Sequence, residues 1–140
     1  MPQSLHDWVL DHLADTNAFK KFAEEKGFAI AKNPGEQKVR FIGKKEDAIW
    51  PDVIVYDPKA EGQPAQRIGE VEIEETVTTE HAKGQWDIYA SRVPDFILAV
   101  PKSSAKDAKK ILDELKVTCD LWLYEVTFDD SGKPTKILFT

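Results

Sequence analysis

The chain has 140 residues, 41% hydrophobic and 31% charged, with a net charge of −6. That length suits one domain over residues 1–140 with a real core, and the composition excludes a disordered chain. A run of about 18 apolar residues is lacking, so no membrane span is expected; the single Cys119 excludes an internal disulfide, and the first residues lack the pattern of a signal peptide, which makes a cytoplasmic protein the expectation.

Ser4-Leu5-His6-Asp7 reads as a helix start, a capping box with Asp in place of Glu or Gln. Leu5, Trp8, Val9, His12 and Leu13 recur at helical spacing, Thr16-Asn17 interrupts the pattern, and Phe19, Phe22 and Ala23 resume it up to Gly27, a natural stop. Phe28 to Ala31 reads as a first strand. After the Asn33-Pro34-Gly35 turn, Lys38 to Ile42 alternates as its hairpin partner, and residues 43–47 form a turn or exposed loop. Ile49 to Tyr56 is the next strand, apolar on both faces over Val53-Ile54-Val55 as a central strand requires. Arg67 to Ile73 is the next strand, and over the stretch Arg67 to Glu75 the glutamates Glu70, Glu72 and Glu74 share one face with Val71 and Ile73 on the other.

A helix is predicted over Thr78 to Arg92, with Ala82, Trp86, Tyr89 and Val93 as its apolar stripe and Gly84 tolerated inside it. Phe96 to Val100 is a buried strand, so strand, helix and strand make a parallel crossover. Ser104 to Asp107 resembles a second capping box before a helix ending near Lys116. Leu121 to Phe128 and Lys136 to Phe139 then form a hairpin around Asp129 to Gly132.

Charge is uneven along the chain. Residues 20–45 hold eight bases and three acids, whereas residues 46–80 hold ten acids and two bases. A basic segment beside an acidic one suits a phosphate-contacting surface next to a metal centre; a mixed solvated surface is the plain alternative. Three alternating glutamates repel one another unless water, a base or a cation relieves them. His6 and His12 are expected to be solvated or packed on the first helix, and His81 to lie on the surface near the helix start. No Ser/His/Asp, Cys/His or phosphate-loop pattern is present.

Pro51-Asp52 at one strand, followed by Glu70-Val71-Glu72 on the next, resembles the signature of the PD-(D/E)XK nuclease superfamily, with Glu72 where Lys is usual. Gln85 and Tyr89, four residues apart on the following helix, are similar to the Gln-x-x-x-Tyr motif of its RecB-type and lambda-exonuclease-like members. The resemblance spans roughly residues 5–100. It implies an α/β fold with a restriction-endonuclease-like αβββαβ core, a central mixed sheet flanked by helices. It further implies a Mg²⁺- or Mn²⁺-dependent hydrolase, an endo- or exonuclease cleaving nucleic acid, DNA ahead of RNA, working as a homodimer or within a larger complex. By the same resemblance Asp52, Glu70 and the backbone carbonyl of Val71 hold the metal. Glu72 serves as general base or helps bind a second ion, Gln85 and Tyr89 orient these groups or contact substrate, and Glu24 or Glu25 matches an accessory acid of the first helix. Two alternatives stand beside it: a catalytically inactive domain of the same fold acting as a protein or nucleic-acid interaction module, and an amphipathic strand whose acids simply face solvent.

Overall fold

Ser4 starts the first helix, α1 (Leu5–Ala14), by accepting the Asp7 N–H at 3.1 Å. The computed structural model describes residues 3–35, 39–42 and 48–140. Only half of the expected capping box forms, because the Asp7 carboxylate turns to His6 and to the Gly35 N–H. Thr16 interrupts the helix as expected. A wide π-helical turn, Asn17–Lys21, runs into α2 (Phe22–Lys26), and Gly27 ends it with φ of 69°, the left-handed conformation that favours glycine.

Among the described residues, six strands lie in the sheet in chain order: β1 (Ala29–Lys32), β2 (Val53–Tyr56), β3 (Ala65–Val71), β4 (Phe96–Pro101), β5 (Asp120–Phe128) and β6 (Pro134–Phe139). The β1–β2, β2–β3 and β5–β6 pairs are antiparallel, while β3–β4 and β4–β5 are parallel. The fold is therefore mixed α/β, and the predicted parallel crossover from β3 to β4 is present.

Both sheet faces are covered. Val53, Val55, Val71, Ile97 and Ala99 pack against Val9, Leu10, Leu13 and Phe19 of the N-terminal helical region. Ile54, Ile68, Leu98 and Val100 pack against the opposite helices, α3 (Thr79–Ala82), α4 (Trp86–Arg92) and α5 (Ala105–Leu115). Val53, Ile54 and Val55 are wholly buried, as a central strand between two helical layers must be. Each such side chain contributes roughly 1.5 to 3 kcal/mol of apolar burial. Gly69 permits a close approach of the sheet to the N-terminal helical region, since a Cβ there would lie 2.7 Å from Phe19 Cζ.

Three expectations need correction. The segment Lys38 to Ile42 is not the hairpin partner of the first strand. β1 pairs directly with β2, and Ile42 makes only an isolated bridge to Ile49; Lys38 and the expected turn at residues 43–47 lie outside the described residues. Asn33 explains the substitution. Its buried amide accepts from Val39 and Arg40 N–H and donates to the Arg40 and Pro51 carbonyls, so a side chain replaces a ladder. The single helix over Thr78 to Arg92 is broken in two, because Gly84 adopts φ of 79°. Ser104 makes no side-chain cap; it closes the short 3₁₀ turn Lys102–Ser104 that leads into α5.

Candidate functional site

Antiparallel register builds the centre of the site. Val53 pairs with Gly69, which places Asp52 beside Glu70 at the point where β2 begins and β3 approaches its end. The period of two then sends Glu70 and Glu72 to the same face as Ile68, towards α3 and α4. Asp52 and Glu70 are each 6% exposed and Glu72 only 1%. The shared face was expected; burial of both glutamates removes the reading in which they face water.

The expected alternation stops there. β3 ends at Val71, and Ile73 opens the 3₁₀ turn Glu74–Thr76, locked by Thr76 Oγ1, which accepts the Ile73 N–H at 3.0 Å. Ile73 is only half-buried, and Glu74 and Glu75 stand apart from the cavity on the surface, Glu74 accepting from Ser103.

Asp52, Glu70 and Glu72 line one cavity of about 500 Å³, and Gln85, Tyr89 and Val71 line it with them. Gln85 precedes the first residue of α4, and Tyr89, 3% exposed, lies one turn on, its N–H donating to the Gln85 carbonyl at 2.8 Å. Within the site, the Asp52 N–H donates to Glu70 Oε1 at 3.1 Å and the Val71 N–H to Asp52 Oδ2 at 2.7 Å. Tyr124 on β5 donates to the Glu72 carbonyl at 2.6 Å, while the Glu72 N–H donates to Ala99. Backbone and side chain are thus both fixed around the carboxylates. Glu24 and Glu25 are exposed on α2 and outside the cavity, as is Lys83.

Two histidines join the carboxylates: His6, expected to be solvated or packed on the first helix, and His81, expected on the surface. His6 Nε2 lies 3.1 Å from Asp52 Oδ2, and His6 Nδ1 lies 2.9 Å from Asp7 Oδ1. An imidazolium donates from both nitrogens and suits two carboxylates. Burial opposes that charge, but the hydrogen bonds and charges of Asp52 and Asp7 outweigh it and lift the His6 pKa to about 9. His81 Nε2 lies 3.1 Å from Glu72 Oε2. The distance is short enough for a hydrogen bond, yet the alignment is not, and Glu72 Oε2 remains a buried acceptor with no hydrogen-bond partner. His12 instead pairs with the Trp8 carbonyl and stacks on its ring. No sequence spacing signals His6, because α1 runs against the opposite side of the sheet and only its first turn reaches the site.

Burial drives the remaining protonation. It raises Glu70 well above the ordinary carboxylate value, reinforced by the Asp52 and Glu72 charges. It raises Glu72 to about 8, with Thr76, His6 and Trp86 pulling back and Asp52 adding to the rise. Burial pushes His81 down, against the Asp52 charge. The Glu72–His81 pair therefore favours a neutral acid beside a neutral imidazole in the metal-free protein. Tyr89 is raised by burial and by the Glu70, Asp52 and Glu72 carboxylates, so its phenol stays protonated.

Asp52 and Glu70 bring hard carboxylate oxygens to the cavity that Glu72 also lines, the ligand type that Mg²⁺ or Mn²⁺ takes, one or two carboxylates being enough with water completing the shell. Among the described residues, no group of three His, Cys, Asp or Glu side chains is drawn together as a closed metal site. Also among these residues, no Lys or Arg lines the cavity. Of the basic segment, Lys32 pairs with Asp11 and Arg40 lies over the Tyr56 ring, while Lys38, Lys44 and Lys45 lie outside the described residues. No helix among the described residues is long and apolar enough to cross a membrane. No protein-family model, curated protein or solved structure matches this chain.

Proposed function

We propose that this protein is a metal-dependent phosphodiesterase acting on nucleic acid, a Glu-x-Glu variant of the PD-(D/E)XK nucleases with a restriction-endonuclease-like αβββαβ core. The observation that carries this reading is the meeting of the buried Asp52, Glu70 and Glu72 side chains in one cavity with Gln85 and Tyr89 on its wall. Solvated surface acids would not be gathered and desolvated in this way.

Asp52, Glu70 and the Val71 carbonyl would hold Mg²⁺ or Mn²⁺, which when bound supplies charge for the phosphoryl oxygens and a more acidic water. Glu72 stands where the superfamily's Lys is usual. Ionised, it would accept the proton of the attacking water as the new phosphorus–oxygen bond forms and the bond to the leaving group breaks, the leaving oxygen taking its proton from solvent. The Tyr124 hydroxyl and the Ala99 carbonyl hold its backbone in place for that transfer. Tyr89, protonated, donates towards the carboxylates, and Gln85 presents its amide to substrate. DNA is the preferred substrate on this reading, and a second copy or a larger assembly supplies the cationic surface that the cavity's described lining lacks.

Cleavage of single- and double-stranded DNA and RNA with Mg²⁺ or Mn²⁺ tests it. The wild type cuts at least one of these, and Asp52→Ala and Glu70→Ala each abolish cutting while remaining folded. A wild type that binds the ion without cutting would instead identify the inactive interaction module. Cleavage that survives both substitutions would refute the assignment of the site.

A further inference from the structure

Strand β5 outruns its parallel neighbour. β4 ends at Pro101, level with Tyr124, whereas β5 continues to Phe128. On the far side of β4, β3 ends at Val71 and the chain turns at Glu74–Thr76. A groove of about 660 Å³ lies between that turn, the corner at residues 101–103 and the overhanging end of β5. It shares no lining residue with the carboxylate cavity.

The β5–β6 hairpin determines which backbone groups face this groove. Leu123 and Thr140 exchange both of their backbone hydrogen bonds, at 3.0 and 2.8 Å, and the Asp129 N–H donates to the Lys133 carbonyl at 2.8 Å. Alternation along an antiparallel pair then turns the N–H and C=O of Val126 and Phe128 away from β6, to the side of the groove. Because β4 stops at the level of Tyr124, no strand among the described residues pairs with Val126 and Phe128 on that side. A stretch of unpaired sheet edge thus lies inside a groove.

Side chains decide what fits there. Leu5, Ile73, Val126 and Phe128 give the groove apolar surface, and Phe128 is 49% exposed. Its charged lining is Glu74, Glu75 and Glu125 against Lys102 alone. Lys102 is engaged by Glu125 at 3.0 Å, and Glu74 accepts the neutral Ser103 hydroxyl at 2.6 Å, so negative charge is in excess.

We propose that this groove docks an extended segment of a partner protein, alternating apolar side chains with Lys or Arg, which adds to β5 as a strand beyond the end of β4. Main-chain hydrogen bonds to Val126 and Phe128 hold the segment, and its alternate side chains give specificity. Successive side chains of a strand face opposite ways, so apolar ones can meet Leu5, Val126 and Phe128 while cationic ones answer the excess carboxylates. Docking of this kind requires neither a metal ion nor phosphodiester cleavage.

Fluorescence polarisation of a labelled Lys-Val-Lys-Val-Lys-Val peptide titrated with the whole chain, together with backbone amide exchange followed by NMR, tests the proposal. The wild type binds this peptide, and a Glu-Val-Glu-Val-Glu-Val peptide binds at least about 10-fold more weakly. Bound peptide slows exchange of the Val126 and Phe128 amides. Glu75→Lys, at an exposed position, weakens binding about 10-fold, and added salt weakens binding to the wild type. Val126→Pro removes a donor that the β5–β6 ladder does not use, so it remains folded and loses the peptide. The wild-type exchange measurement stands without either variant. Absence of binding, or binding that leaves both amides unprotected or protects the outer edge of β6 instead, overturns the proposal. Protection of the same amides by raised protein concentration alone, with a dimer in sedimentation, overturns it too and assigns the groove to a second copy.

Discussion

Replacing Glu72 by Gln should stabilise the metal-free protein at neutral and alkaline pH. Glu72 has an ordinary value of 4.5 and is raised to about 8 in the fold, chiefly by burial. Its folded form therefore holds a proton that the unfolded chain releases. The favourable contribution of that proton is complete below pH 4.5 and is lost progressively as pH rises through about 8. At pH 7 the unfolded chain has been ionised across roughly 2.5 units, worth on the order of 3 kcal/mol at about 1.4 kcal/mol per unit. Gln keeps the shape and cannot ionise. In a domain of this size that difference corresponds to a rise in Tm of roughly 10 °C. The measurement is thermal unfolding of wild type and Glu72→Gln in EDTA between pH 4 and pH 8. The two curves meet near pH 4 and separate as pH increases. A gap that stays constant with pH would refute the buried-acid reasoning, because a packing difference carries no proton linkage. Glu70 is raised in the same direction for the same cause, so Glu70→Gln should widen its advantage over the same alkaline limb.

Two further perturbations probe what holds the site in place. Gly69→Ala puts a methyl 2.7 Å from Phe19 Cζ and 3.1 Å from Leu13 Cδ2, which should lower stability by about 1 to 3 kcal/mol, read as a lower urea midpoint. An unchanged midpoint would show that the N-terminal helical region yields easily. Tyr124→Phe removes the hydroxyl that donates to the Glu72 carbonyl at 2.6 Å, costing about 1 to 3 kcal/mol in a denaturant titration. Equal stability of Tyr124→Phe and wild type would mean that the carbonyl has a second donor.

The strand framework was legible because its residues are constrained from both sides. Val53 to Val55 and Phe96 to Val100 are apolar at every position, a pattern that a strand between two helical layers requires and an exposed hairpin does not. Asp52, Glu70 and Glu72 were legible for a related reason: strand pairing fixes where neighbouring side chains meet, so acids at set positions converge with little help from the rest of the chain. Three features were not legible. Lys38 to Ile42 has strand alternation, but the Asn33 side chain captures its backbone partners, and a buried amide leaves no periodic signal. Gly84 looks like a tolerated helix residue, and only its positive φ reveals the break that leaves His81 on a separate short helix beside Glu72. His6 lies 46 residues from Asp52 in the chain, and its placement follows from how α1 docks across the sheet, a tertiary fact with no local pattern.

The two histidines change what the acidic strand means. Three bare carboxylates in one cavity would oppose folding strongly, since burial and mutual repulsion act in the same direction. Here the charge is dispersed in two ways. Asp52 faces an imidazolium at His6, itself shared with Asp7, while Glu70 and Glu72 retain protons. The metal-free cavity is thus close to neutral, which lets a small domain gather acids without first binding an ion. The same arrangement makes cation binding depend on protons, because any dication taken up by Glu70 or Glu72 displaces theirs. Affinity then rises with pH until those carboxyls are ionised, while the stability of the metal-free fold declines over the same range. A cavity of this kind couples its own occupancy to its stability: the ion relieves more strain as the protons leave, and the difference in Tm with and without ion grows as pH increases.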